Sequence, residues 1–222
     1  YGEFLKKSGW FDEIITINRS IFYFFDIFKI KRNLNINNFS EVYDLQTSKR
    51  SSNYLKIFKN DDCTTNGIGK FADIEHTNPM RNKMHTIARQ KDQLNLSNVK
   101  YYHSPNLNWL YKKTNKFGKP QKYALIVPGG SGKRLNKRIP VKLFFEIISM
   151  LIEKKITPFL IGSIDDLSIC KKIEKRFPGI KNLCLKTNFF DIASLAKNAF
   201  FSIGNDTGPM HIISRANKKT IV

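Results

Sequence analysis

From residue 123 onward the chain alternates short apolar runs with amphipathic stretches. Tyr-Ala-Leu-Ile-Val at 123–127 is a strand-like run ended by Pro128, and after Pro140 the residues Leu143, Phe144, Ile147, Ile148, Leu151 and Ile152 recur at helical spacing. The unit then repeats: strand 158–161, turn Gly162-Ser163, helix 165–177 and the breaker Pro178-Gly179. A strand over 183–185, polar Lys186-Thr187-Asn188 and a helix over 191–197 follow. Last come the apolar run 199–203, a tight turn over 204–208, a helix led by Pro209 and a final strand-like Thr220-Ile221-Val222 that looks cut short. Near-continuously apolar strands alternating with helices predict an α/β fold, a parallel sheet covered on both faces with right-handed crossovers.

The first hundred residues carry a weaker pattern. They predict a short helix over 3–7, a strand over 12–17, helices over 21–31, 54–58 and 84–94, and a strand over 42–45. Ile21, Phe24, Phe25 and Phe28 fall at helical spacing, and because a crossover helix buries one face on its sheet they are expected in the core rather than at a membrane. Residues 61–82 show no period, with 66–70 reading as punctuation and 75–79 as a loop; His76 and His85 are not at metal-ligand spacing and read as ordinary loop or helix residues. The polar turn 46–52, with Lys49 and Arg50, is either solvated or a holder of an anionic ligand. Residues 101–120 lack any period, which divides the chain into an N-terminal part (1–100), a linker (101–121) and a C-terminal part (122–222).

Charge narrows the partners. Lys and Arg number 38 against 18 Asp and Glu, a net +20, which favours a nucleic acid, a membrane surface or a phosphorylated substrate, unless it reflects a bias spread over every solvated face. Cys63, Cys170 and Cys184 are odd in number and far apart, so neither a disulfide framework nor a zinc site is indicated, and a reducing cytosol is the simplest home. The most apolar stretch, 21–30, is interrupted by Asp26 and Lys29 and is too short to span a bilayer.

The chemistry gathers at the ends of the strands. Residues 129–134, Gly162-Ser163, Lys186-Thr187 and 204–211 each follow a strand, so all are expected at the carboxyl edge of the sheet, where open parallel sheets bind ligands. In the last of these, Gly204 and Gly208 permit a close approach to the main chain, and the helix that follows presents free N–H groups and the positive end of its dipole to a phosphate. Asp206 and Thr207 either cap that helix or hold the ligand, with His211 facing the same place.

Lys137-Arg138-Ile139-Pro140, Leu160-Ile161-Gly162-Ser163, Asn182-Leu183 with Lys186-Thr187, and above all Gly204-Asn205-Asp206-Thr207-Gly208-Pro209-Met210-His211 resemble the C-terminal half of the ADP-heptose lipopolysaccharide heptosyltransferases, a family of GT-B glycosyltransferases (family 9). Asp44-Leu45-Gln46 with Lys49 and Ser51 is similar to a segment of that family's N-terminal domain. The resemblance implies two Rossmann-like domains facing across a cleft, the N-terminal one truncated here, and transfer of a heptose or related sugar from an ADP-sugar to a lipopolysaccharide inner-core acceptor. Asp206, Thr207 and Gly208 would hold the donor diphosphate and sugar with His211 beside them; Lys137 would neutralise phosphate charge; Gly129, Gly130 and Ser131 would line the pocket; Ser163 and Asp165 lie where the family contacts the ribose, and Thr187 near its adenine site. No metal, cofactor or nucleic-acid partner is expected; the acceptor would be an acidic glycolipid, and the protein cytoplasmic or peripheral on the inner membrane. The family's base carboxylate sits in a Gly-Asp loop with no counterpart here, so it is expected N-terminal to this chain, with Asp44 the candidate if this segment transfers sugar by itself; Ile139 stands where the family usually has Trp. The same features fit a GT-B transferase using another nucleotide sugar, and the charge alone fits a non-enzymatic nucleic-acid-binding protein.

Overall fold

The computed structural model describes residues 2–17, 21–34, 38–100, 104–111, 116–118, 122–130, 138–216 and 219–222. Two compact units divide the chain, one made of Glu3–Trp10 with Asn106–Val222, the other of Phe11–Pro105.

In the unit carrying the C-terminal residues, strands β4 (Tyr123–Val127), β5 (Thr157–Leu160), β6 (Lys181–Asn182), β7 (Phe201–Gly204) and β8 (Thr220–Ile221) form one parallel sheet in the order β6-β5-β4-β7-β8. Helices α5 (Val141–Glu153), α6 (Leu167–Arg176), α7 (Phe189–Asn198) and α8 (Gly208–Ala216) supply the crossovers. Successive residues of β4 point to opposite faces: Leu125 and Val127 join Ile192, Leu195, Met210 and Ile213 of α7 and α8, while Ala124 and Ile126 join Phe144, Ile148, Cys170 and Ile173 of α5 and α6. Both faces are therefore dry, which is why the strand reads as a continuous apolar run. The third strand differs from its expected place: β6 ends at Asn182, Leu183 and Cys184 are buried beyond it, and Leu185 turns the chain with a φ of 64°. Helix α1 (Gly2–Lys6) belongs to this unit through Phe4, whose ring lies 5.1 Å from Trp109 and 5.3 Å from Phe189.

The other unit holds three short parallel strands in the order β1-β2-β3: β1 (Glu41–Tyr43), β2 (Thr64–Gly67) and β3 (Ile74–Glu75). Helices α2 (Tyr23–Asn33), α3 (Lys49–Tyr54) and α4 (Thr86–Asn95) accompany them, and His85 caps α4 through Nδ1. Residues 12–17 form no strand; Ile17 packs beside Ile30, Phe58 and Cys63 while β1, among the described residues, pairs with β2 alone. Strands β2 and β3 arise in the stretch without period, because Thr-Thr-Asn-Gly is held by polar contacts rather than apolar ones. Thr65 Oγ1 donates to Asp73 Oδ2 at 2.7 Å, and Asn66 Oδ1 accepts from the wholly buried Gln93 at 2.9 Å.

The expectation for α2 is reversed. Asp26, fully buried, and Ile30 face inward, whereas Phe24, Phe25 and Phe28 are exposed, Phe28 by 65%. Asp26 is tolerated inside because its Oδ2 accepts from Tyr54 Oη at 2.6 Å and from the Arg50 guanidinium, so the buried carboxylate is paired and hydrogen-bonded.

Candidate donor-binding edge

The chain leaves β4 toward β5 and β6 on one side and returns to build β7 and β8 on the other, so β4 and β7 are sheet neighbours with crossovers that diverge. This is the topological switch point at which open α/β sheets bind ligands. The two loops meeting there are 128–130 and 205–208.

Asn205, buried between them, binds them together. Its Nδ2 donates to the carbonyls of Pro128 (2.9 Å) and Gly129 (2.8 Å), and its Oδ1 accepts from the Ile139 N–H at 2.7 Å, just ahead of α5. Asp166, also buried, does the same from the β5 side: Oδ1 accepts from the Gly130 N–H at 3.1 Å, and Oδ2 from both the N–H and the hydroxyl of Ser163 at 2.8 Å. Arg138 Nη2 donates to the Gly130 carbonyl, and its Nε is buried with no partner among the described residues. Gly129 has no room for a side chain while Asp166 keeps its place, since a Cβ there would lie 1.9 Å from Asp166 Oδ1; at Gly204 a Cβ would lie 2.7 Å from the Val127 carbonyl oxygen.

At the start of α8, Thr207 accepts the His211 N–H on its main-chain oxygen at 3.2 Å. Its Oγ1 is buried and has no partner among the described residues. Asp206 is open to solvent, and His211 Nε2 lies 3.4 Å from its Oδ1, with the two side chains 76% (His211) and 79% (Asp206) exposed. Neither Asp206 nor Thr207 caps the helix with its side chain; Pro209 has no N–H and that of His211 is taken, so the Gly208 and Met210 N–H groups and the dipole's positive end are left for another group. Gly208, the first helical residue, is exposed there.

The remaining expected residues take the same edge farther out. Ser163 and Asp165 sit after β5, where Asp165 is exposed and Ser163 is bound by Asp166, and Thr187 lies half-buried after β6. The β5 and β6 loops are joined by the Leu185 N–H to the Gly162 carbonyl at 3.0 Å and by Cys184 Sγ to the Ser163 carbonyl at 3.3 Å. Ser131 and Lys137 lie outside the described residues. Asn205 and Asp166 were not singled out as site residues by the sequence pattern; the Ser163-x-x-Asp166 capping box was the available signal for the second.

Elsewhere, the polar turn after β1 is organised around Asp44. Its Oδ1 accepts from the Gln46 and Thr47 N–H groups at 3.1 Å each and its Oδ2 from the Ser51 hydroxyl at 2.9 Å, so this carboxylate is spent on its own turn. The three cysteines are free and buried, and burial pushes all three thiols up, which makes them poor nucleophiles.

The solved structures most usefully compared share this architecture at low identity. A glycosyl transferase family 9 protein from Veillonella parvula superposes with a TM-score of 0.72 at 15% identity over 95% of this chain, which spans 66% of that protein's length. Escherichia coli heptosyltransferase WaaC, solved with ADP, gives 0.65 at 15% identity over 89% of this chain and 70% of its own. E. coli ADP-heptose lipopolysaccharide heptosyltransferase II gives 0.62 at 16% over 93% and 75%. No curated sequence matches the chain. The family profile described as glycosyltransferase family 9 (heptosyltransferase) matches residues 27–222, and the chain belongs to that family.

Proposed function

We propose that the carboxyl edge of the five-stranded sheet binds the diphosphate of an ADP-sugar, and that the protein transfers a heptose or related sugar from it to an acidic lipopolysaccharide inner-core acceptor at a membrane surface. The observation that carries this reading is the buried, unpartnered Thr207 hydroxyl at a helix N-terminus without a side-chain cap, beside the Gly129-Gly130 turn at the switch point. Such a terminus receives phosphate oxygens, and a hydroxyl donor already desolvated loses little on meeting one. Support for the nucleotide comes from WaaC, solved with ADP and with ADP-2-deoxy-2-fluoro heptose.

In transfer, the leaving diphosphate gains negative charge as the glycosidic bond breaks. The α8 N-terminus and the Thr207 hydroxyl stabilise that charge, and the family resemblance gives Lys137, outside the described residues, the same task; the effect is greatest where water is excluded. His211 and Asp206, exposed side by side at the same helix end, face the sugar and its acceptor. Gly129 and Gly130 shape the floor of the phosphate site, and Ser163, Asp165 and Thr187 extend it along the edge toward the nucleoside.

The test is ligand-dependent stability. ADP and ADP-heptose should each raise the thermal midpoint, by an amount equivalent to about 2.7 kcal/mol at a hundredfold excess over the dissociation constant, while UDP and GDP raise it less. A larger shift with UDP or GDP than with ADP would assign the edge to a different nucleotide sugar, equal shifts would remove the preference for adenine, and no shift with any of them would remove the donor site.

A further inference from the structure

We propose that α2 docks the protein on an anionic bilayer, with its aromatic first turns seated among the lipid headgroups and its basic last turn against lipid phosphates. The inward face of the helix is set by Asp26 and Ile30. Opposite them, Phe25, Phe28 and Arg32 recur at positions i, i+3 and i+7, flanked by Phe24 and Lys31, with Ile21 almost fully exposed just ahead of the helix. The rings of Phe24 and Phe25 lie 4.4 Å apart, tilted by 37°, and so pack on one another rather than in the unit's core, which contains neither.

Charge selects the occupant. Asp26 is the only acidic residue of α2, and it is turned inward onto Arg50 and Tyr54, so among the described residues the outward face of the helix carries no acidic group, but Phe24, Phe25 and Phe28 and the exposed cations Lys29, Lys31 and Arg32. An apolar face followed by a cationic one suits a surface that is apolar within and anionic at its rim, whereas pairing two copies would oppose like charges. No described helix is long and apolar enough to cross a membrane, so α2 would lie on the surface. This inference deepens the acceptor part of the proposed function and is read separately from donor binding.

The experiment is co-sedimentation of the 222-residue chain with vesicles of phosphatidylcholine alone or mixed with phosphatidylglycerol. Binding is expected to the mixed vesicles, weakening with salt. The double variant Phe24→Ser/Phe28→Ser should bind at least about tenfold more weakly, and Lys29→Gln/Lys31→Gln/Arg32→Gln about a hundredfold more weakly, with circular dichroism and urea midpoints close to the parent's. Failure of the parent to bind phosphatidylglycerol vesicles, or unchanged binding by both variants, would overturn the proposal. So would sedimentation velocity showing a parent dimer that the Phe24→Ser/Phe28→Ser change dissolves while vesicle binding is absent. Calorimetry with ADP on the same samples keeps the two readings apart, since loss of donor binding alone leaves the docking surface standing.

Discussion

Asn205 holds Gly129: the carboxamide Nδ2 lies 2.8 Å from the Gly129 carbonyl oxygen, across 76 residues of sequence, and the same side chain accepts the Ile139 N–H. Three segments thus depend on one buried amide. Asn205→Ala leaves two carbonyls and one N–H without their partner, a loss of about 1–3 kcal/mol for each group that water cannot reach. Asn205→Asp keeps the acceptor for Ile139 but sets a buried carboxylate oxygen against the two carbonyls, and is expected to destabilise at least as much as Asn205→Ala. Urea unfolding checks the stability, and a fall in ADP affinity of folded Asn205→Ala checks that the clamp shapes the phosphate site; unchanged affinity would make it a purely structural tie.

Gly129→Ala is expected to be disruptive out of proportion to one methyl group, because its Cβ would overlap the Asp166 carboxylate. The companion Asp166→Ala should partly rescue folding of Gly129→Ala by making room. Absence of any rescue in urea midpoints would show that the two positions do not compete for the same space.

How much of this was readable beforehand divides along a physical line. Strand β4 announces itself as an unbroken apolar run and helices α5 and α8 by apolar residues recurring with period 3.6, and Gly129, Asp206, Gly208 and His211 stand out in the turns and first helical turn that follow strands. Strand β2 does not, because Thr65 and Asn66 are bound by the hydroxyls, amides and carboxylates of Asp73, Gln93 and Ser97, and periodicity counts apolar residues only. The Asn205 clamp and the reach of Asp166 to Gly130 were hidden because those partners are main-chain atoms of remote loops, while the contact of Asp166 with Ser163 is local and shows as a capping box. Helix α2 misled, since three phenylalanines at helical spacing marked a face correctly while Asp26, with Arg50 and Tyr54, took the inward place.

Acid sensitivity should trace to α4. The imidazole of His76, and after it the Asn78 amide, hold Asp92 below the usual carboxylate range, and Thr65 does the same for Asp73. A carboxylate whose folded pKa is depressed contributes stability above its unfolded value, about 3.9, and loses it as pH falls through the folded one. Stability measured by urea at descending pH should therefore drop below about pH 4, and Asp92→Asn should flatten that limb. A parallel curve for Asp92→Asn would place the acid sensitivity elsewhere.

Donor binding is expected to persist in EDTA, because the proposed site draws its positive charge from the α8 terminus, with Lys137, outside the described residues, the cation that the family resemblance adds. An ADP affinity abolished by chelation and restored by Mg²⁺ or Mn²⁺ would transfer that role to a cation.

The most direct measurement is titration calorimetry of ADP and AMP into the parent and into Thr207→Val. Valine keeps the β-branched shape and removes only the hydroxyl, which has no partner among the described residues, so urea stability should change by less than the roughly 0.5–2 kcal/mol of a lost helix cap. The parent should bind ADP more tightly than AMP, and Thr207→Val should lose about tenfold or more of the ADP affinity, the loss of one charge-assisted hydrogen bond, with little change for AMP. Equal ADP binding by parent and variant, or no preference for ADP over AMP in the parent, would contradict the assignment of the α8 N-terminus as the diphosphate site.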